Sequence, residues 1–232
     1  MNFKTSHQAN TTSRFRLRTV LIFIAYLSAF TILDASTRSF QVFPGVVAWY
    51  PPDGLSFALL LSFGASFSPW LAIASLLSSF FVFKIPLPLF DLLGWAILLS
   101  LVYGLAAWFL RRHVRIDAQL RSMRDFFWLI VFAVVTSSVL ALVSMSVATV
   151  NGVIPQNEQY WATVQWWVGE MIGVLVFTPF LLIHVMPHVK WFVDGGVVIK
   201  NARKISFPRL SPTLVAQALS ILAAIYLAVG IS

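Results

Sequence analysis

The chain has 232 residues, 59% hydrophobic and only 10% charged, with 9 Trp, 21 Phe, no Cys and a formal charge of +8. So little charge, set among long apolar runs, excludes a soluble globular domain, and the lack of cysteine excludes disulfides, thiolate metal sites and cysteine nucleophiles. The positive balance is that of a membrane protein with basic cytoplasmic loops and does not imply a nucleic-acid partner.

A polar tail, 1–16, contains Arg14 and Arg16 and leads past Arg18 into an apolar run at 17–35. That run is longer than the core of a signal peptide and reaches Asp34 without a small-x-small cleavage site, so it reads as a retained first span. Further apolar windows lie at 52–67, 70–84, 88–110, 126–149, 162–185 and 213–231. With about 20 residues needed to cross the hydrocarbon, the expectation is an all-α polytopic bundle of seven visible spans within a single membrane-embedded domain. A cytoplasmic N-terminus places fourteen of the sixteen Lys and Arg inside and leaves Arg38 and Lys84 outside, as the bias of basic residues to cytoplasmic loops requires.

Before the second window stands FPGVVAWYPPDG (43–54), where Pro51 and Pro52 forbid a helix running through Tyr50 but suit a helix starting beside them. A broken or re-entrant segment is expected there, tolerated only where protein or a water-filled cavity covers its backbone. The loop VNGVIPQNEQY (150–160) is polar and external in this topology. WFVDGGVVIK (191–200) reads as an interfacial loop in preference to a hairpin around Asp194. With seven spans the chain is expected to end outside, without a polar tail or output domain, either as a complete protein with an outward C-terminus or as a sensor fragment cut before a further span.

The acids separate by side. Asp117, Asp125 and Asp194 go with the cytoplasmic loops, whereas Asp34, Asp53, Asp91, Glu158 and Glu170 fall in or near the outer half of the membrane. Glu170, in QWWVGEMIGVLVFTP (165–179), is the deepest, roughly 12 Å below the outer boundary for a helix starting near Ala162. A carboxylate at the centre of a span costs about 2.5–3.5 kcal/mol on insertion scales, so it is expected to face the bundle interior. Thr163, Trp166, Trp167, Glu170, Gly173 and Phe177 share one side of that helix, and Gly169 and Gly173 form a G-x-x-x-G that admits a neighbouring backbone. Asp53 serves either as a helix-start acid or, with Trp49 and Tyr50, as the lining of an external cavity. Asp91, after Pro86 and Pro88, has the same two readings. Arg38 is a candidate partner for one of these acids or for a ligand carboxylate. Candidate ligand-binding residues are therefore Trp49, Asp53, Asp91, Trp166, Trp167 and Glu170, with Gly54, Gly169, Gly173 and Pro179 as packing or hinge positions.

His184 and His188 have i,i+4 spacing but are interrupted by Pro187, and no metal site or cofactor is assigned to them. G-x-S-x-G, H-E-x-x-H and P-loop patterns are absent, so the chain itself is not expected to be an enzyme.

WYPPDG (49–54) before an Ala- and Leu-rich helix, and the aromatic pair, glycine, acid and second glycine before Thr178-Pro179, resemble the two signatures of the first membrane-associated sensor family (MASE). Trp49, Pro52, Gly54, Trp167, Gly169, Glu170, Gly173 and Pro179 carry the resemblance, with glutamate where the family commonly has aspartate. It implies a bacterial inner-membrane sensor of about eight spans that controls a C-terminal histidine kinase or diguanylate cyclase, as in two-component signalling. A homodimer through that output domain, or a partner membrane protein, goes with it. Acid and aromatic groups together favour a cationic ligand, an amine or a proton as the stimulus. Two further readings are a small-solute transporter or its substrate-binding subunit, and a bundle that only anchors and dimerises an output domain.

Overall fold

The computed structural model describes residues 3–193, with side chains from Leu17 onward. Eight α-helices and one two-stranded hairpin make up this region. Four helical stretches are long and apolar enough to cross a membrane: Leu17–Phe40, Leu89–Val114, Met123–Val150 and Gln159–His184. The expected window at 213–231 and the loop around Asp194 lie outside the described residues.

The first of these stretches is the distal part of α1 (Phe3–Thr37) with a 3₁₀ turn at Arg38–Phe40. Strands β1 (Gln41–Phe43) and β2 (Val46–Val47) then pair antiparallel around Gly45, whose φ of 79° a side chain would resist. Extended chain continues to Tyr50, and α2 (Pro51–Phe63) starts on its two prolines. Neither proline has an N–H to leave unpaired, which makes the first turn the place where they fit.

The windows at 52–67 and 70–84 become α2 and α3 (Ser68–Phe81), of 13 and 14 residues. At ~1.5 Å per residue each covers only about 20 Å, short of the hydrocarbon thickness. α2 has no lipid-facing side: twelve of its thirteen residues are buried. Apolar burial is not what drives helices together in lipid, so cohesion rests on close backbone approach and on hydrogen bonds between helices. Tyr26 of α1 and Ser56 of α2 share a hydrogen bond of 2.8 Å, and Arg111 donates to the Leu60 carbonyl at 3.3 Å. The guanidinium thus meets the carbonyl end of α2, where a positive charge is favoured. Gly64, with φ 115°, turns the chain from α2 toward α3 beside the same arginine.

α4 (Leu89–Phe109) runs into a π-helical turn at Leu110–Val114, which stops at Arg115 in the left-handed conformation. α5 (Met123–Val150) begins at Ser122, whose hydroxyl accepts from the Asp125 amide at 3.2 Å. Its serines and threonines return their hydroxyls to carbonyls of the preceding turn, Ser137 to Ala133 at 2.7 Å among them, so no donor faces lipid unpaired. α6 (Gln159–Ile172) continues through a second π-helical turn, Gly173–Phe177, into α7 (Thr178–His184), and α8 (Met186–Val193) follows a break at Val185.

Candidate functional site

α6 starts at Gln159 and so carries Glu170 eleven residues in, roughly 16 Å along its axis. The backbone that approaches this helix is extended chain, not a second helix. The Tyr50 amide donates to the Gly169 carbonyl at 3.1 Å. A methyl group on Gly169 would overlap the Val47 carbonyl oxygen, one on Gly173 the Tyr50 carbonyl oxygen, and one on Gly54 the Gly173 carbonyl oxygen. Three glycines thus form one seam between residues 47–54 and the α6 helix. A second tie is the Thr178 hydroxyl, which donates to the Gly54 carbonyl at 3.1 Å. The π-helical turn falls where this seam lies; such turns release a carbonyl from the helical ladder, and Gly169, four residues before the turn starts, accepts from Tyr50.

The seam brings Asp53 to Glu170. Their carboxyls lie against one another, and the Tyr103 hydroxyl of α4 donates to Glu170 Oε1 at 2.9 Å. Asp34 stands beside them: Ser78 of α3 hydrogen-bonds its Oδ2, and the Tyr50 hydroxyl is directed at the same carboxyl. Asp34, Asp53 and Glu170 are each at most 1% exposed. Among the described residues the ion pairs lie elsewhere, Arg121 with Asp117 at 3.7 Å and Arg124 with Asp125 at 3.2 Å. Three carboxyls are therefore held in a protein interior without a basic side chain, among the described residues, to neutralise them. One oxygen of each, Asp34 Oδ1, Asp53 Oδ1 and Glu170 Oε2, has no hydrogen-bond partner. Buried polar atoms of this kind are uncommon and call for an explanation, of which a functional role is one.

Of the sequence candidates, Asp53, Glu170 and Trp166 come together. The Trp166 indole flanks Glu170, with its Nε1 buried and outside hydrogen-bond geometry. Trp49 and Trp167 likewise bury unpartnered Nε1 atoms. Asp91 stands apart, on a separate apolar cavity that Trp166 also lines. Arg38 is exposed and has no ion pair among the described residues. Pro179 occupies the first turn of α7. Sequence reasoning missed Tyr103 as a donor, Ser78, and the joining of Asp34 to the cluster. For Tyr103 the only signal was a hydroxyl at the middle of an otherwise apolar span.

A narrow cleft leads from the hairpin to Glu170, lined by Val47, Tyr50, Ser75, Ser78, Trp95 and Trp166 among others. The arrangement offers carboxylate oxygens, hydroxyls and indole faces to a positively charged group.

The MASE1 family model matches residues 18–231. The chain belongs to the MASE1 family. MASE1 domains are membrane-associated sensor domains, which agrees with the four stretches long and apolar enough to cross a membrane. No curated protein and no solved structure matches the chain.

Proposed function

We propose that this MASE1 bundle is a signal-input domain of a bacterial inner membrane whose stimulus acts on the Asp53–Glu170 centre and sets the activity of a cytoplasmic histidine kinase or diguanylate cyclase. The concentration of Lys and Arg on the loops after α4 and beyond α7 supports a cytoplasmic N-terminus with seven spans. In that orientation the hairpin faces outward and the cluster is approached from outside. The observation that carries the reading is the seam: extended chain laid on Gly169 and Gly173 holds one acid against another, with no basic residue among the described residues to neutralise them.

Any change in the charge of that pair alters how residues 47–54 sit on α6. α7 follows directly through the π-helical turn and is tied to Gly54 by Thr178, so a displacement of the seam is passed toward α8. A stimulus can move this element only to the extent that it binds the two arrangements with different affinity.

The test is a reporter cyclase joined after Ser232 through one added membrane span, which carries it to the cytoplasmic side in this topology. Glu170→Gln is expected to shift its set-point at least fivefold or lock it in one state, while Gln156→Ala, at an exposed position of the 151–158 loop, leaves it unchanged. An output indifferent to both Glu170→Gln and Asp53→Asn refutes the reading. Uptake of solute into vesicles by the same protein would replace it with transport.

A further inference from the structure

A second cavity, of ≈ 160 Å³, opens between α4 and α5 at the hairpin end of the bundle. Its walls include Gly94, Trp95, Val143, Met145 and Trp166, and are apolar apart from Asp91 and Ser144. Beside it on α4, Phe90, Leu93 and Ile97 are 83%, 39% and 54% exposed. On a membrane-crossing stretch that exposure is contact with lipid, so the mouth faces the outer hydrocarbon boundary. Asp91 lies in the first turn of α4, with no ion pair or hydrogen bond among the described residues.

Trp95 and Trp166 meet edge-to-face, ring centroids 5.4 Å apart at 88°. Both also line the cleft that holds Glu170. Two indoles therefore form the partition between an apolar chamber with a free carboxylate at its rim and a polar chamber with a buried one. A hydrated metal ion gains too little from apolar walls to shed its water, and an anion is repelled by Asp91. A neutral apolar molecule leaves Asp91 unused. An organic cation satisfies all three parts, with its apolar body against Val143 and Met145 and its charge on indole faces and carboxylate.

We propose that the α4–α5 cavity binds a lipophilic organic monocation, a substituted amine or quaternary ammonium, with its charged head between Asp91 and the Trp95–Trp166 pair. The route by which the occupant signals rests on the sensory reading of Glu170, since moving Trp166 moves the wall of the Glu170 cleft. Binding itself does not depend on that reading.

The full 232-residue chain in phosphatidylcholine nanodiscs would be titrated with benzyltrimethylammonium, read by calorimetry and tryptophan fluorescence, beside its neutral carbon isostere neopentylbenzene. The expected result is saturable binding at least tenfold tighter than the isostere's, weakened at least tenfold by Asp91→Asn and unchanged by Gln156→Ala. Trp95→Leu, checked for an unaltered melting temperature, supplies a second arm and is expected to lose at least fivefold. Binding that does not saturate, that the isostere matches, or that Asp91→Asn and Trp95→Leu both leave intact overturns the proposal. If binding behaves as expected while neither Glu170→Gln nor Asp53→Asn moves the reporter cyclase, the cavity stands and the sensory reading fails. The reverse pattern condemns the cavity alone.

Discussion

Gly173→Ala is expected to be among the most destabilising single-methyl changes available in this protein. The added carbon would overlap the Tyr50 carbonyl oxygen and lie 2.7 Å from the Tyr50 carbonyl carbon and 3.4 Å from the Pro51 nitrogen. All three are backbone atoms, which cannot rotate out of the way as a side chain can. Overpacking a well-filled interior costs about 1–3 kcal/mol, and here the upper end applies because residues 47–54 are pinned at both ends of the seam. Tyr50 is bonded to Gly169, and Gly54 both touches Gly173 and accepts from Thr178. Gly94→Ala is the matched control: a methyl there meets nothing within 4 Å, and the gain in helix propensity is about 1 kcal/mol. Thermal unfolding of the two variants in nanodiscs should separate them in opposite directions from the parent. If Gly173→Ala melts with Gly94→Ala, the extended segment does not rest on α6.

The second large effect is an energetic coupling between Asp53 and Glu170. An ionised carboxylate accepts hydrogen bonds and cannot donate them, so the two acids in contact can exchange a hydrogen bond only when one of them holds a proton. An amide in place of either one supplies an N–H to the other and removes a buried charge without changing volume much. Asp53→Asn and Glu170→Gln should therefore each keep or raise stability, and the double variant should miss the sum of the single effects by about 1–2 kcal/mol, within the range for residues in direct contact. Tyr103→Phe works the other way. It deletes the donor at 2.9 Å from Glu170 Oε1 and leaves that oxygen unsatisfied, at a cost of about 1–3 kcal/mol. Additivity of the two amide changes to within about 0.5 kcal/mol would mean that the carboxyls do not touch.

Much of this site was legible as residue types and little of it as partners. The helical face of Glu170 and the G-x-x-x-G beside it can be read from spacing, because both are local periodicities. What lies on the glycines cannot, since the atoms that fill the space above Gly173 belong to Tyr50 and Pro51, far away along the chain. Two prolines announce that helix cannot pass through Tyr50, yet they do not say that the extended chain reaches the middle of another span. Hydropathy marked α2 and α3 as apolar, but apolarity measures transfer out of water and does not distinguish lipid from protein as the destination. The thirteen residues of α2 meet protein on nearly every side. Asp34 looked like the polar end of the first span, and its place beside Asp53 depends on Tyr50 and on Ser78, reached from two other elements. The π-helical turn has no hydropathy signature, and only the glycine before it and the Thr-Pro after it hint at a change of pitch.

The setting of α2 also constrains how the protein is made. Tyr26 of α1 precedes it, but its other partners Tyr103, Gly173, Phe177 and Thr178 are all translated after it. When Pro51–Phe63 leaves the ribosome, the groove that will hold it does not exist, and a thirteen-residue segment carrying Asp53 is too short to be kept in the bilayer by its own hydropathy. The segment must wait at the membrane surface until α6 and α7 have been inserted, and then slide in as the final piece. In nascent chains arrested before Gly173 and after Val193, a labelling probe at Asp53→Cys should accordingly be accessible in the first and protected in the second.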